Sequence, residues 1–213
     1  MSFTGQLEVL EASGLIRLVT LQPEVEYLFR HALVQDAAYA SLVKQDRRQL
    51  HRAVGEALER LHPDRRDELA ALLARHYSEA GDAPRALKYF TLAGDAAARV
   101  YANAEAVMHY TSALNVARRT LTSTSPALAG EGPEVEALTH LYLSLGQSLE
   151  LSARHPEALA NYAELESLAR VRGDRAMELA ALMARAKIHA TLNAAQNPEQ
   201  AHTLLEQSLT LAR

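Results

Sequence analysis

Residues 73–93, LARHYSEAGDAPRALKYFTLA, contain the pattern that decides the fold. Apolar residues recur at steps of three and four on both sides of Gly81, which is the spacing of one face of an α-helix. Gly81 suits the left-handed position after a helix end, Asp82 can cap the next helix, and Pro84 fits its first turn. The stretch therefore predicts two helices joined by a tight turn.

Small residues also recur in pairs that are twelve positions apart along the chain. Two antiparallel helices approach closely only where both side chains at the crossing are small. A large residue four positions after each pair would fill the groove against the following helices. The interval thus predicts a stack of helix pairs. The small pairs are Ala74 and Ala86, Gly94 and Ala106, and Gly146 and Ala158, and the large residues are Phe90, Tyr110 and Tyr162.

Helical spacing continues on both sides of one stretch without an apolar period. This stretch, Thr122 to Pro133, is rich in Ser, Thr, Pro and Gly, so we expect a linker loop there. The predicted helices after residue 66 run from about Asp67 to Ala80, Pro84 to Tyr101, Ala104 to Leu121, Glu134 to Ser152, Pro156 to Arg172, Arg175 to Leu192 and Pro198 to Arg213.

The first residues follow a different pattern. A short helix at Gln6 to Ala12 precedes two β-prone runs, Leu15 to Thr20 and Glu26 to Arg30, which predict a hairpin. This order resembles the second half of a winged-helix domain, so we expect the chain to start inside such a domain. We predict five segments: a partial winged-helix-like segment at 1–30, a linking helical pair at 31–66, a first repeat block at 67–121, a linker loop at 122–133 and a second repeat block at 134–213.

The helix pairs resemble the tetratricopeptide repeat, which has a period of about 34 residues and fixed small, Tyr, Ala and Phe positions. The last pair departs from it, because Ala184 and Ala201 are seventeen residues apart and the turn at Asn193 to Asn197 must be enlarged. The resemblance implies an all-α fold of antiparallel helix pairs in a right-handed superhelix. One unit matches at Leu73, Ala74, Tyr77, Gly81, Asp82, Ala86, Phe90 and Ala93, and another at Leu145, Gly146, Ala158, Tyr162 and Leu165.

A second resemblance rests on Gly14-Leu15-Ile16, on the run from Tyr27 to Tyr39, and on Arg48-Gln49-Leu50-His51. It is similar to the segment after the ATPase core in signal-transduction ATPases with numerous domains, such as multidomain bacterial nucleotidyl cyclases and transcription regulators. The resemblance implies helical repeats that act as a sensor and docking arm, with the missing ATPase domain as a partner. The sequence has no Gly-x-x-x-x-Gly-Lys-Ser/Thr motif to hold a triphosphate.

Composition disfavours several other classes of function. The net charge of -4 and the pI of about 6.1 argue against nucleic-acid binding. The chain has no Cys, no run of apolar residues long enough to span a membrane, and no signal-peptide pattern at Met1 to Leu10. We expect a cytoplasmic protein without membrane contact.

No catalytic, metal or cofactor site is expected. The chain has nine His, but no two lie three or four residues apart, and no paired carboxylates or activated Ser are indicated. A DNA-binding regulator is an alternative because Arg47, Arg48 and Arg52 follow the hairpin. Asp46 and two Glu interleave with these arginines, however, which is typical of a solvated helix face.

The remaining expectation is protein binding. The first helices of stacked pairs line a concave groove, and residues that project into it bind a protein or peptide. Arg75 and Arg185 would bind a carboxylate there. Apolar residues such as Leu209 and Leu211 would allow self-association, and a free-standing adaptor is the second alternative to a signalling-ATPase arm. The predicted groove residues are Arg75, Ser78, Glu79, Gln147, Glu150 and Arg185.

Overall fold

The computed structural model describes residues 3–20, 25–123 and 133–213. Most of these residues are helical, and a two-stranded antiparallel sheet lies near the start. This confirms the predicted helical fold with an N-terminal hairpin. Two compact units divide the chain, one at 1–50 and the other at 51–213. Within the described residues, no helix combines the length and hydropathy needed to cross a bilayer.

The helices and strands follow the predicted order. The predicted linker at 122–133 lies mostly outside the described residues, although Thr122 and Ser123 belong to a helix and Pro133 begins the next one. The elements are α1 (Phe3–Ala12), β1 (Ile16–Thr20), β2 (Glu26–Phe29), α2 (Ala32–Ser41), α3 (Lys44–Leu61), α4 (Ala70–Ala80), α5 (Ala83–Arg99), α6 (Asn103–Ser123), α7 (Pro133–Leu151), α8 (His155–Arg172), α9 (Arg175–Ala190) and α10 (Pro198–Ala212).

The first unit contains the hairpin. Strand β1 pairs antiparallel with β2, with Ile16 opposite Phe29 and an irregularity between Leu18 and Thr20. The predicted turn at 21–24 lies outside the described residues. Among the side chains described in residues 4–20 and 25–50, Ile16 alone is buried. The hairpin therefore depends on backbone hydrogen bonds more than on a core.

Helix ends in the second unit carry the predicted chemistry. Gly81 follows α4 with φ of 74°, and the Asp82 carboxylate accepts from the Arg85 backbone N–H at 3.3 Å. Asp174 and Asn197 cap α9 and α10 in the same way. The predicted start of the first repeat helix at Asp67 is wrong by three residues. A 3-10 turn at Pro63–Arg65 and the non-helical ψ of Leu69 delay α4 until Ala70.

Successive helices from α4 to α10 pack against one another, and α7 also contacts α5 and α9. The odd-numbered helices α5, α7 and α9 therefore form a row. One core cluster joins α4 to α5, the largest extends from α5 to α9, and a third joins α9 to α10. Helix α5 packs on both α4 and α6.

Glycine and tyrosine meet at three of the helix crossings. An ideal Cβ on Gly94 would lie 2.6 Å from the Tyr110 ring, and one on Gly146 would overlap the Tyr162 ring. The third case, Gly55 on α3 and Tyr77 on α4, is not part of the twelve-residue interval. The 3-10 turn lengthens the connection between α3 and α4, so sequence spacing alone does not find this crossing.

Candidate partner-binding surface

Tyrosine hydroxyls bind carboxylates at the helix crossings. Tyr77 donates to Glu59 Oε2 at 2.6 Å, and Tyr89 donates to Glu59 Oε1. The two rings stack with centroids 5.7 Å apart. Burial, together with the Glu59 carboxylate, raises the pKa of Tyr89 to about 12. Glu59 on α3 is thus bonded to both α4 and α5.

The pKa of Glu59 reflects two opposing effects. Burial raises it, but the hydroxyls of Tyr77 and Tyr89 and the positive charge of Arg85 hold the pKa below its ordinary value. Arg85 also pairs with Glu56 at 3.1 Å and lies over the Tyr77 ring. The Glu59 side chain is therefore held in its ionised form.

Similar tyrosine–carboxylate bonds recur along the array. Tyr110 donates to Asp95 at 2.7 Å, Tyr142 to Glu164 at 2.8 Å and Tyr162 to Glu150 at 2.8 Å. In each case burial is the largest cause that raises the tyrosine pKa. These bonds connect α5 with α6 and α7 with α8.

A cleft of about 360 Å³ lies where α5, α6 and α7 meet. Its wall on α7 includes Gln147, one of the predicted groove residues. We call it the α5–α7 cleft. The lining residues are Asp95, Ala98, Arg99, Tyr101, Asn103, Tyr110, His140, Ser144, Gln147, Ser148 and Leu151.

A polar network crosses the α5–α7 cleft. Asp95 Oδ1 lies 3.1 Å from His140 Nε2, and it also accepts from Tyr110. Ser144 Oγ lies 3.5 Å from His140 Nδ1. The order Ser, His and carboxylate is that of a hydrolytic triad, but Ser144 lies inside α7, where helical N–H groups bond within the helix and cannot stabilise an oxyanion.

The rim of the α5–α7 cleft includes the turn after α5 and the end of α7. Tyr101 has φ of 58° and a side chain that is 79% exposed. Asn103 Oδ1 is buried and has no hydrogen-bond partner within the described part of the chain. Tyr101 takes the left-handed position after the end of α5, where the Ala102 N–H donates to the Ala97 carbonyl, and Ala153 takes the same position after α7. The apolar side chain of Leu151 is exposed on the same rim.

The six predicted groove residues are distributed over three helices. Arg75, Ser78 and Glu79 are exposed on α4, which packs on α5. Gln147 is exposed in the α5–α7 cleft, and Glu150 follows it one turn later on α7. The structure therefore brings only part of the predicted set to the row of α5, α7 and α9.

Glu150 and Arg185 already have partners inside the chain. Glu150 accepts from the Tyr162 hydroxyl and pairs with Lys187 at 2.9 Å. Arg185 pairs with the buried Glu166, and its Nε is buried with no partner among the described residues. These contacts orient both side chains. Sequence spacing could not find them, since the partners lie on the neighbouring helices.

The described ranges contain no group of three or more His, Asp or Glu placed to hold a metal ion. Asp95, His140 and Tyr101 were not predicted as site residues. The positive φ of Tyr101 has no sequence signature, and Asp95 and His140 meet only because α5 and α7 are neighbours.

The described residues form a helical, repeat-like protein with an N-terminal hairpin. The α5–α7 cleft lies in its second unit. No protein-family profile matches the chain, and no curated protein or solved structure matches it significantly.

Proposed function

We propose that this chain is a non-catalytic, tetratricopeptide-like module that binds a protein or peptide along the row of α5, α7 and α9. We further propose that it acts as the sensor or docking arm of a larger signalling ATPase or nucleotidyl cyclase. The observation that carries the proposal is the α5–α7 cleft, which combines exposed Gln147 and Tyr101 side chains with a buried Asn103 oxygen that has no hydrogen-bond partner among the described residues.

Three properties of the cleft suit peptide binding. Tyr101 and Leu151 offer exposed apolar surface, and buried aromatic anchors dominate many protein interfaces. His140, Gln147 and Asp95 offer hydrogen-bonding groups beside them. The tyrosine–carboxylate bonds beneath these residues limit the conformational entropy that binding would cost.

A regulatory role follows only if the partner distinguishes two arrangements of the chain. A ligand shifts an equilibrium by its difference in affinity for the two states and by no more. We propose that a partner bound in the α5–α7 cleft changes how the helical array packs against the ATPase domain. The signal-transduction-ATPase resemblance, which covers roughly Leu10 to Leu114, supports this assignment of the parent.

Site-specific photo-crosslinking tests the binding face. A photoreactive amino acid at Gln147 is compared with one at Ser167, an exposed polar residue on α8. We expect cross-links to one defined protein from position 147 and few from position 167, and mass spectrometry identifies the partner. Equal cross-linking from both positions would show that the α5–α7 cleft is not the binding face.

The native mass of the polypeptide that contains this sequence separates the parent enzyme from the free-standing adaptor. A species far above 23.3 kDa with nucleotide hydrolysis supports the signalling ATPase. A species of 23.3 kDa that still cross-links through position 147 supports the adaptor.

A further inference from the structure

Asp95 on α5 has one carboxylate oxygen that is open to the α5–α7 cleft. The other oxygen, Oδ1, accepts from the Tyr110 hydroxyl at 2.7 Å and lies 3.1 Å from His140 Nε2. An ionised carboxylate only accepts hydrogen bonds, so Nε2 carries a proton and donates it to Oδ1. Oδ2 accepts no hydrogen bond from the described residues, and the Asp95 side chain is 34% exposed. Oδ2 is therefore available to a ligand.

A second acceptor in the lining of the α5–α7 cleft also lacks a donor. Asn103 Oδ1 is buried and has no hydrogen-bond partner within the described part of the chain. A buried oxygen without a donor carries a desolvation cost that positive charge placed nearby reduces. The oxygens of Asp95 and Asn103 thus favour the same kind of ligand, one that brings positive charge and N–H groups.

Arg99, one turn after Asp95 on α5, is a cation in the same lining. Its guanidinium lies 3.8 Å from the Asp67 carboxylate, outside the lining, and its side chain is 65% exposed. Solvent and salt screen a charge at such an exposed position. No ion pair joins Arg99 to Asp95 among the described residues. The charge that hydrogen bonds hold inside the cleft is therefore the Asp95 carboxylate.

Apolar surface on the rim of the α5–α7 cleft suits the stem of a basic side chain. Tyr101 is 79% exposed and Leu151 is 58% exposed there. Lysine and arginine lay their methylene stems along apolar surface and keep the charged group in a polar environment. An aromatic ring also attracts a cation placed over its face. The aromatic ring, the leucine and the carboxylate together match a basic side chain better than an acidic or a wholly apolar one.

We propose that the α5–α7 cleft binds a basic side chain of the partner, lysine or arginine, with its charged group at Asp95 Oδ2 and its stem against Tyr101 and Leu151. This inference rests on the proposed partner-binding function and specifies the chemistry of the partner. The bond to Asp95 is charge-assisted, which makes it stronger than a neutral hydrogen bond. Tyr110 and His140 orient Asp95 through Oδ1 and leave Oδ2 for the ligand.

A peptide library on the immobilised full chain tests the chemistry of the partner. Heptapeptides with blocked ends carry arginine, lysine, glutamine or glutamate at the central position and uncharged residues elsewhere, and mass spectrometry measures which are retained. We expect the arginine and lysine pools to be enriched over the other two, and the ratio of these two pools shows which basic residue the cleft prefers. Enrichment of glutamate or glutamine, or retention of no pool, would overturn the inference.

Two variants separate the α5–α7 cleft from the net charge of -4 on the whole chain. Asp95→Asn should weaken binding of the retained basic peptide about tenfold, measured by fluorescence anisotropy, because a hydrogen bond between charged groups is lost. Glu206→Gln is the matched control, since Glu206 is an exposed carboxylate on α10 and its loss changes the net charge equally. We expect less than about twofold weakening there. Equal weakening by both variants would assign the preference to overall charge and exclude the site.

A change at the exposed Arg99 gives a test that leaves the hydrogen bonds of Asp95 intact. Arg99→Glu should strengthen binding of the basic peptide about threefold, since it replaces a repulsive charge with an attractive one. Unchanged or weaker binding would contradict the inference.

Photo-crosslinking from position 147 reports separately on the proposed function. A defined cross-linked protein without any preference for basic peptides would keep the binding face and reject the basic-side-chain site. Loss of both results would reject the face as well.

Discussion

The unit at 1–50 and the unit at 51–213 differ in how far apolar residues at helical spacing are buried. Helix α2 has Leu33, Tyr39 and other apolar residues at helical spacing, yet none of its ten residues is buried, and Leu33 is 82% exposed. Helix α4 has the same spacing, and five of its eleven residues are buried. Apolar spacing thus predicts a helix, but burial depends on whether a complementary helix packs against it.

The second unit supplies that complementarity through paired small and aromatic residues. Ala74 and Ala86 are both buried between α4 and α5, and the Tyr77 ring fits against Gly55. Close approach of this kind increases dispersion contacts and excludes water. We expect the stability of the second unit to respond much more strongly to substitution than that of α2.

The largest expected effect on stability is the loss of a buried leucine from α4, compared with the loss of an exposed leucine from α2. Leu73→Ala removes a fully buried side chain and should lower the free energy of unfolding by about 2–5 kcal/mol. Leu33→Ala removes an exposed one and should change it by less than about 0.5 kcal/mol. Urea denaturation of the full chain, followed by circular dichroism, measures both. Similar losses would mean that α2 also belongs to a core.

The next effect concerns the fit between glycine and tyrosine. Gly146→Ala gains about 1 kcal/mol of helix propensity, but its methyl group would overlap the Tyr162 ring. Overpacking of this kind costs about 1–3 kcal/mol, so we expect a net loss. Gln147→Ala, next to it and exposed, is the control. A stabilised Gly146→Ala variant would show that the ring moves aside at little cost.

The third effect concerns the polar connection at Glu59. Glu59→Gln keeps one acceptor for two tyrosine hydroxyls, and we expect a loss of about 1 kcal/mol at neutral pH. Because the folded-state pKa of Glu59 is lowered, its contribution is present above the ordinary Glu pKa and is lost as the pH falls through the folded value. The free energies of unfolding of wild type and Glu59→Gln, measured from neutral pH to acid, should therefore converge as the pH falls. A constant difference would exclude a role for the charge.

The smallest effect concerns helix capping, which depends little on packing. Asp174 accepts from the Met177 backbone N–H at 2.9 Å at the start of α9. Asp174→Ala should cost about 1 kcal/mol, whereas Asp174→Asn should cost little because Asn also caps well. Thermal denaturation distinguishes the two. Equal loss in both variants would attribute the effect to charge and not to the cap.

Local features of this chain were the easiest to predict. Gly81, Asp82 and Asn197 end or begin helices as their conformational preferences require. The enlarged turn before α10 follows from the seventeen residues between Ala184 and Ala201. Each of these features depends on residues within one or two turns, so a single sequence contains enough information.

Side-chain partners across helices were harder to predict. Phe90 is a predicted packing residue and is only partly buried, while its neighbour Tyr89 is almost completely buried and bonds to Glu59. Arg185 was predicted to bind a ligand carboxylate, but in the fold Glu166 supplies one. Such pairings depend on how neighbouring helices are rotated and shifted, which the apolar period defines only to within a turn.

The sequence by itself determined the helical class, the hairpin, most helix ends and the small residues at the crossings. These follow from backbone preferences and from the periods of the two secondary structures. Only the tertiary structure decided that α5, α7 and α9 form a row, that Asp95 meets His140, and that His51 meets His76. Contacts between residues far apart in sequence are selected by the packing of whole helices, because a small rotation of one helix changes every side chain that it presents.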